Sequence, residues 1–168
     1  MDLGLIGKNA IITGGSDGIG MAAAISLAKE GANVAILART QEKLDHAVEE
    51  IKSNAKGKVL GISTDVREES SVKSSIEKVK SEFGKIDILV NNAGTSSASP
   101  LESLTNEALT EDLSLKVYGA IFCARAVIED MKKSGSGSII NITTPGGKAT
   151  PGGSQPTSLS RAAGISLT

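Results

Sequence analysis

The sequence predicts an α/β fold in which a doubly wound parallel sheet carries helices on both faces. Short apolar runs typical of buried strands alternate with longer stretches whose pattern is helical. Such alternation implies right-handed βαβ units and therefore a parallel sheet. A glycine-rich turn follows the first apolar run, at the sheet edge where open α/β sheets bind ligands. The 168 residues are expected to form a single domain, residues 1–168.

The strands and helices can be placed in order along the chain. Apolar runs predict strands at 8–13, 33–38, 58–63, 86–90 and 137–142. Helices are predicted at 18–29, 40–53, 69–83, 104–112, 115–132 and from residue 158 onward. The last helix meets no stop signal, and no strand follows to cover the fifth one. We therefore expect a further C-terminal segment after Thr168, carrying the last strands and the residues that shape the substrate site.

Composition and charge argue against several functional classes. The net charge is −1 and aromatic residues make up 2% of the chain, so phosphate-driven binding of nucleic acid is not expected. No apolar run approaches the length that spans a membrane. The single cysteine, Cys123, excludes an internal disulfide and favours the cytoplasm, and we expect this thiol to be buried. With His46 as the only histidine, and expected at the surface, no metal site is predicted.

The glycine-rich turn is a candidate phosphate site. Residues 13–20 read T-G-G-S-D-G-I-G and join the first strand to the first helix. Glycines let the backbone bend tightly and approach a ligand, while the free N–H groups at a helix N-terminus favour an anion. The spacing differs from the G-x-G-x-x-G dinucleotide fingerprint, although the mechanics are the same.

Three further motifs follow this turn in a characteristic order. Asp65-Val66 lies after the third strand, N-N-A-G occupies 91–94 at the end of the fourth, and G-S-I-I-N-I at 137–142 forms the fifth. With these motifs the chain resembles the short-chain dehydrogenase/reductase family over essentially its whole length. The resemblance implies a Rossmann-type domain that binds NAD or NADP and an oxidoreductase that acts on a carbonyl/alcohol pair of a small molecule.

The resemblance also indicates where the cofactor would bind. The implied residues are Gly14, Ser16, Asp17, Gly18, Ile19, Gly20, Arg39, Thr40, Asp65, Val66, Asn91, Ala93 and Gly94. Asp65 can accept a hydrogen bond from the adenine amino group, although it can instead cap the following helix. The small residues after Asn91 let the backbone pass close to the nicotinamide-side ribose, and the same turn can brace the fourth strand against Thr13.

The end of the second strand bears on the choice between NAD and NADP. An acid there would accept hydrogen bonds from a ribose 2′-hydroxyl, but the sequence has Arg39 followed by Thr40. The planar, permanently charged guanidinium suits a 2′-phosphate, so NADP is favoured over NAD. The alternative is a surface arginine paired with Glu42 or Glu68. Asp17 argues against tight phosphate binding, because its carboxylate would repel the phosphate.

The catalytic residues implied by the resemblance are all substituted. The family's asparagine, serine, tyrosine and lysine correspond to Lys116, Thr144, Thr157 and Arg161. No Tyr-x-x-x-Lys pair occurs elsewhere, because the only tyrosine, Tyr118, is followed four residues later by phenylalanine. An aliphatic hydroxyl is a far weaker acid than the phenol of tyrosine, whose pKa is about 10 in model peptides.

Three functional hypotheses follow from these substitutions. The first is an NADP-dependent oxidoreductase with a rearranged proton donor, which would be Lys116, Lys148 or a water relayed through Thr144 and Thr157. The second is a catalytically silent NADP-binding subunit or sensor, and the third is a structural module. The resemblance also implies a homodimer or homotetramer that associates through the helices at 115–132 and after 158, whose alanines can alternatively pack on the sheet.

Overall fold

A computed structural model describes every residue from Met1 to Thr168. The strands are β1 (Asn9–Thr13), β2 (Asn33–Ala38), β3 (Val59–Ser63), β4 (Ile88–Asn91), β5 (Ala98–Ser99), β6 (Ser138–Asn141) and β7 (Gln155–Pro156). The α-helices are α1 (Gly18–Lys29), α2 (Gln41–Lys52), α3 (Glu69–Phe83), α4 (Asn106–Leu113), α5 (Gly119–Ser134) and α6 (Thr157–Ser166). A π-helical turn, Ser114–Tyr118, joins α4 to α5, and short 3₁₀ turns occupy Leu101–Ser103 and Pro145–Gly147.

Five strands form one parallel sheet in the order β3-β2-β1-β4-β6. In the centre of the sheet, Ile11 pairs with Ala35 on β2 and with Leu89 on β4. The chain leaves β1 towards β2 on one side and later returns to β4 on the other. The strand order therefore reverses beside β1, and a crevice opens there at the carboxyl ends of the strands.

Helices cover both faces of this sheet, and each face has its own apolar core. On one face α3 and α5 bury side chains that include Ile76 and Val127, while α1 and α2 bury Ala24 and Leu44 on the other. The predicted doubly wound α/β fold is therefore confirmed. Cys123 is buried in the first of these cores, as expected, and His46 is exposed.

Most predicted elements agree with the structure to within two residues. The exceptions lie between β4 and α6, where two-residue strands and one π-helical turn are too short to leave a periodic signal in the sequence. The predicted helix 115–132 begins inside the π-helical turn, and β5 pairs antiparallel with β7 where the sequence indicated only loops. No helix is both long enough and apolar enough to span a membrane.

Candidate active site

The glycine turn connects β1 to α1 at the crevice. Gly14 and Gly18 have φ angles of +63° and +53°, a region that side chains disfavour, so both positions suit glycine. The Asp17 carboxylate accepts a hydrogen bond from the Gly18 amide (2.7 Å) and therefore caps α1. Lys43 on α2 lies 3.9 Å from the same carboxylate. The charge predicted to repel a phosphate thus has a cation beside it.

The N-N-A-G turn is fastened to the glycine turn by a set of hydrogen bonds. Thr13 Oγ1 accepts from the backbone amides of Asn92 and Ala93, both at 3.0 Å. The Asn92 amide group donates in return to the carbonyls of Thr13 (3.0 Å) and Gly14 (3.1 Å). A methyl group on Gly20 would collide with the Gly14 carbonyl and with Asn92 Nδ2. This contact realises the predicted brace and explains why position 20 is glycine.

A cleft of about 590 Å³ opens at the carboxyl edge of the sheet. Every predicted cofactor residue lines it except Gly20 and Asn91. Gly20 packs beneath the turn, while Asn91 lines a small cavity behind the cleft and donates from Nδ2 to Asn141 Oδ1 at 2.9 Å. The far end of the cleft is formed by Thr144 and Arg161. The structure therefore collects the predicted residues around one space, and their contact with a cofactor stays a prediction.

Arg39 lies at the rim of this cleft and is exposed. Its guanidinium forms neither an ion pair nor a hydrogen bond, so the alternative pairing with Glu42 or Glu68 is not found. Lys43, which sequence reasoning did not select, lines the same rim. Two cations therefore stand at the end of the cleft formed by β2 and α2.

Asp65 lines the cleft and has a partner that the sequence analysis did not anticipate. Its carboxylate binds the Arg67 side chain through Nε (2.9 Å) and Nη2 (2.5 Å), and it also accepts from the Arg67 amide (3.0 Å). The hydrogen bond with the Arg67 guanidinium lowers the pKa of Asp65, against the opposing effect of burial. An adenine amino group would therefore have to share this carboxylate with Arg67. Helix α3 is not capped by Asp65, because Glu68 occupies the N-cap position.

Lys116 and Asp112 form an ion pair inside the protein. The two residues are four positions apart, and their pair joins α4 to the π-helical turn. Only 2% of the Lys116 side chain and 4% of the Asp112 side chain are exposed. Burial lowers the pKa of Lys116, the neighbouring Asp112 carboxylate opposes that shift, and the Arg161 charge adds to it. Sequence reasoning missed Asp112, although its position four residues before Lys116 was a usable signal.

Thr157, the first residue of α6, meets this ion pair. Its Oγ1 accepts a hydrogen bond from Lys116 Nζ at 3.0 Å and another from the Ser97 amide at 3.0 Å. The pairing of β5 with β7 brings Ser97 and Thr157 together, because each residue is adjacent to one of those strands. A hydroxyl oxygen can accept two hydrogen bonds, so both acceptor sites of Thr157 are filled. Its O–H remains available to donate a hydrogen bond to another group.

Arg161 lies one turn further along α6. Its Nη1 donates to the Ile142 carbonyl at 2.6 Å, and a methyl group on Gly94 would lie 3.1 Å from its Nη2. Burial lowers the pKa of Arg161, and the Asp112 carboxylate opposes that shift. Lys116 and Arg161 both pack against Gly94, which carries no side chain that would exclude them.

The other predicted proton donors stand apart from Thr157. Thr144 lies on the cleft wall, and its side chain makes no hydrogen bond to Thr157 or Lys116. Lys148 is exposed, lines neither the cleft nor the small cavity, and makes no hydrogen bond to Thr157, whose side-chain partners are Ser97 and Lys116. Tyr118 is half-exposed, and it too lines neither space. Thr157 itself also lines neither space, and it is linked to the cleft through Lys116, which packs against Gly94. Lys116 is therefore the one candidate donor in contact with Thr157.

Comparison with known proteins identifies the family. The family model described as short chain dehydrogenase matches residues 8–168. The chain belongs to the short-chain dehydrogenase/reductase family. It is 35% identical over 150 residues to the 3-ketodihydrosphingosine reductase of Mus musculus, and this alignment covers 87% of this chain and 45% of the relative. It is 38% identical over 139 residues to 3-oxoacyl-(acyl-carrier-protein) reductase FabG of Staphylococcus epidermidis, covering 82% and 56%. The chain thus spans about half the length of these curated relatives.

Solved structures of short-chain dehydrogenases superpose closely on the chain. The L-sorbose reductase of Gluconobacter frateurii, complexed with NADPH and L-sorbose, matches with a TM-score of 0.95 and 35% identity, covering 99% of this chain and 64% of that one. A xylitol dehydrogenase bound to NAD⁺ matches with a TM-score of 0.93 and 30% identity, covering 98% and 63%. Both cofactors therefore occur among its structural neighbours.

Proposed function

We propose that this protein is an NADP(H)-dependent oxidoreductase acting on the carbonyl/alcohol pair of a small molecule, with a substituted active site. The observation that carries the proposal is a single cleft with the glycine turn in its middle and the unpaired cation Arg39 at one end. At the other end Lys116, which holds Thr157, packs behind Gly94 of the cleft wall. The NADPH-bound L-sorbose reductase, similar over 99% of this chain, supports the same assignment.

The residues of the cleft fit NADP. The amides of the glycine turn would hold the pyrophosphate, and open space around Gly18 leaves room for it. The unpaired guanidinium of Arg39 would bind the 2′-phosphate, with Lys43 adding a second positive charge. The cofactor supplies a hydride when bound. The protein has to orient the substrate and provide the accompanying proton.

Thr157 and Lys116 are proposed to provide that proton. Because Thr157 Oγ1 is filled by two donors, its O–H can donate to a substrate carbonyl oxygen. As negative charge develops on this oxygen, the hydroxyl proton moves to it and a proton from Lys116 replaces the one lost. The lowered pKa of Lys116 makes its ammonium a stronger acid than that of an exposed lysine, which favours this direction of proton transfer.

Arg161 and Thr144 have supporting roles in this proposal. Arginine is charged at all ordinary pH values, so the guanidinium of Arg161 would stabilise the developing oxyanion through space. Thr144 lines the cleft with an unengaged hydroxyl that is available to a substrate oxygen. The main alternative is a catalytically silent NADP-binding subunit or sensor. It is favoured by one observation, the aliphatic hydroxyl of Thr157 at the position that the resemblance assigns to a phenol.

Cofactor binding is tested first, by titrating NADPH and NADH separately and following nicotinamide fluorescence. Arg39→Gln is expected to weaken NADPH binding by about ten- to a hundredfold, since a charge-assisted hydrogen bond contributes about 1.5–3 kcal/mol. NADH binding should not change in this variant. Arg125→Gln, which removes another exposed arginine, on α5, is the matched control. Absence of binding for both cofactors in the micromolar range would favour a purely structural module.

Turnover is tested next with NADPH and a panel of aldehydes and ketones. We expect activity in the wild type and in Thr157→Ser, which keeps the hydroxyl, and loss of activity in Thr157→Val. Lys116→Met should lose activity as well, while still binding NADPH. Tight NADPH binding without turnover on any carbonyl, or on any alcohol with NADP⁺, would instead establish the silent subunit.

We also propose a homodimer or homotetramer in the cytoplasm. Association through α5 and α6 is supported by exposed apolar side chains on both helices, including Ile128 and Leu159. Ala120, by contrast, is buried within the chain and lines the small cavity behind the cleft, so it is not available for association. Sedimentation equilibrium would measure the oligomeric state, and a monomer at micromolar concentration would contradict the proposed oligomer.

The cytoplasmic assignment rests on the single, unpaired thiol of Cys123.

A further inference from the structure

The Arg161 end of the cleft carries a positive charge that no carboxylate balances. Lys116 and Asp112 compensate each other as an ion pair, whereas Arg161 forms no ion pair. The cleft's own acids, Asp17 and Asp65, each have a separate cation beside them, Lys43 and Arg67. The local sum of Arg161, Lys116 and Asp112 is therefore one positive charge.

Burial makes this charge act over the cleft with little screening. The Nε of Arg161 is shielded from solvent and has no hydrogen-bond partner, and Nη1 is held by the Ile142 carbonyl. The guanidinium lies directly behind Gly94, which forms part of the cleft wall. Charges in such partly buried surroundings interact several times more strongly than charges in water, and salt screens them less.

The position of this charge matters because the nicotinamide ring changes charge when it is reduced. The ring is cationic in NADP⁺ and neutral in NADPH. Under the function proposed above, Arg39 takes the 2′-phosphate and the glycine turn takes the pyrophosphate, which directs the nicotinamide towards the opposite end of the cleft, where Arg161 lies. A buried cation there opposes the oxidised ring and leaves the neutral ring unaffected.

We propose that Arg161 makes the cleft bind NADPH more tightly than NADP⁺, so that the protein discriminates between the two redox forms of its cofactor. This inference rests on the proposed function, because it requires the cofactor to bind in this orientation. We expect NADPH to bind at least about tenfold more tightly, which corresponds to about 1.4 kcal/mol. In the overall reaction the hydride and one proton add across the carbonyl, and the neutral dihydronicotinamide ring becomes the cationic ring that this charge disfavours.

The test compares dissociation constants for NADPH and NADP⁺, measured by isothermal titration calorimetry at neutral pH and constant ionic strength. The wild type and Arg161→Lys, which keeps the charge, should both favour NADPH. Arg161→Gln and Arg161→Met remove the charge and should bring the two constants to within about twofold of each other, mainly because NADP⁺ binds better. Two neutral variants are used so that the comparison survives if one of them does not fold. Lys148→Gln, an exposed cation outside the cleft, should leave the ratio unchanged.

The outcomes separate this inference from the proposed function. Equal affinities in the wild type overturn the inference while leaving the function intact. Equal weakening of both cofactors in the neutral variants also overturns it, because Arg161 would then be a simple contact. Failure of the wild type to bind either cofactor overturns the proposed function and the inference together.

Discussion

The carboxylate of Asp112 pairs with the ammonium of Lys116 inside the protein, and Lys116 in turn donates a hydrogen bond to Thr157. One carboxylate oxygen, Asp112 Oδ2, has no hydrogen-bond partner. A buried ion pair of this kind does little for net stability, because desolvation of both charges offsets their attraction. Its value here lies in holding a charged lysine against the hydroxyl of Thr157.

Removing one member of this pair should destabilise the protein far more than removing both. Asp112→Leu or Lys116→Met alone leaves an unpaired buried charge, and each is expected to cost about 3–5 kcal/mol. The double variant replaces the pair by apolar side chains and should lose less than either single variant. Urea unfolding followed by circular dichroism measures all three free energies. Additive losses in the double variant would show that the two charges do not interact.

Stability should also depend on pH through Lys116. Its pKa in the folded protein is lowered, chiefly by burial, below the ordinary value of 10.5. Between the folded and unfolded pKa the unfolded chain binds more protons, so this residue's contribution to stability rises with pH. The free energy of unfolding of the wild type should therefore increase, relative to the double variant Asp112→Leu/Lys116→Met, as the pH rises towards 10.5. A constant difference over that range would contradict the burial of a charged lysine.

Two glycine-to-alanine substitutions, one in the glycine turn and one on α6, should differ sharply in their effects on stability and NADPH binding. Gly20→Ala forces a methyl group against the Gly14 carbonyl and Asn92, so the turn has to shift. We expect it to lose at least about 2 kcal/mol of stability, as overpacked cores do, and to abolish NADPH binding. Gly164→Ala, on α6 with nothing within 4 Å of the new methyl group, is the control. It should be neutral or stabilise the protein by up to about 1 kcal/mol. Normal NADPH binding by Gly20→Ala would show that the turn does not hold the cofactor.

The sequence was sufficient to predict the fold and the cleft, because both depend on local patterns. The alternation of continuous apolar runs with helical stretches indicated the parallel sheet, and glycines followed by a helix marked residues 13–20 as a candidate anion site. Thr13 was expected to meet the N-N-A-G turn because parallel strands end at the same edge.

The sequence was not sufficient where a contact depends on short irregular elements. Lys116 and Thr157 are 41 positions apart, and a π-helical turn and a two-residue strand pairing bring them together. Neither element leaves a periodic pattern in the sequence. The hydrogen bond from Arg67 to Asp65 was not predicted for a different reason: Asp65 was assigned to a ligand, although a cation two residues away can reach its carboxylate.

Cys123 should be unreactive in the folded protein. It is buried between α5 and the sheet, and burial raises the pKa of its thiol to about 12, so almost no thiolate exists at about pH 8. Ellman's reagent should therefore label Cys123 only when the protein unfolds and exposes the thiol. The labelling rate should fall when NADPH is bound, because a ligand that binds only the folded state suppresses this opening. Since the folded pKa lies above the unfolded one, this thiol's contribution to stability is lost as the pH rises from about 9 to about 12. The chain has one cysteine, so labelling reports on this site alone. Complete reaction of the native protein within seconds at about pH 8 would mean that this core opens readily.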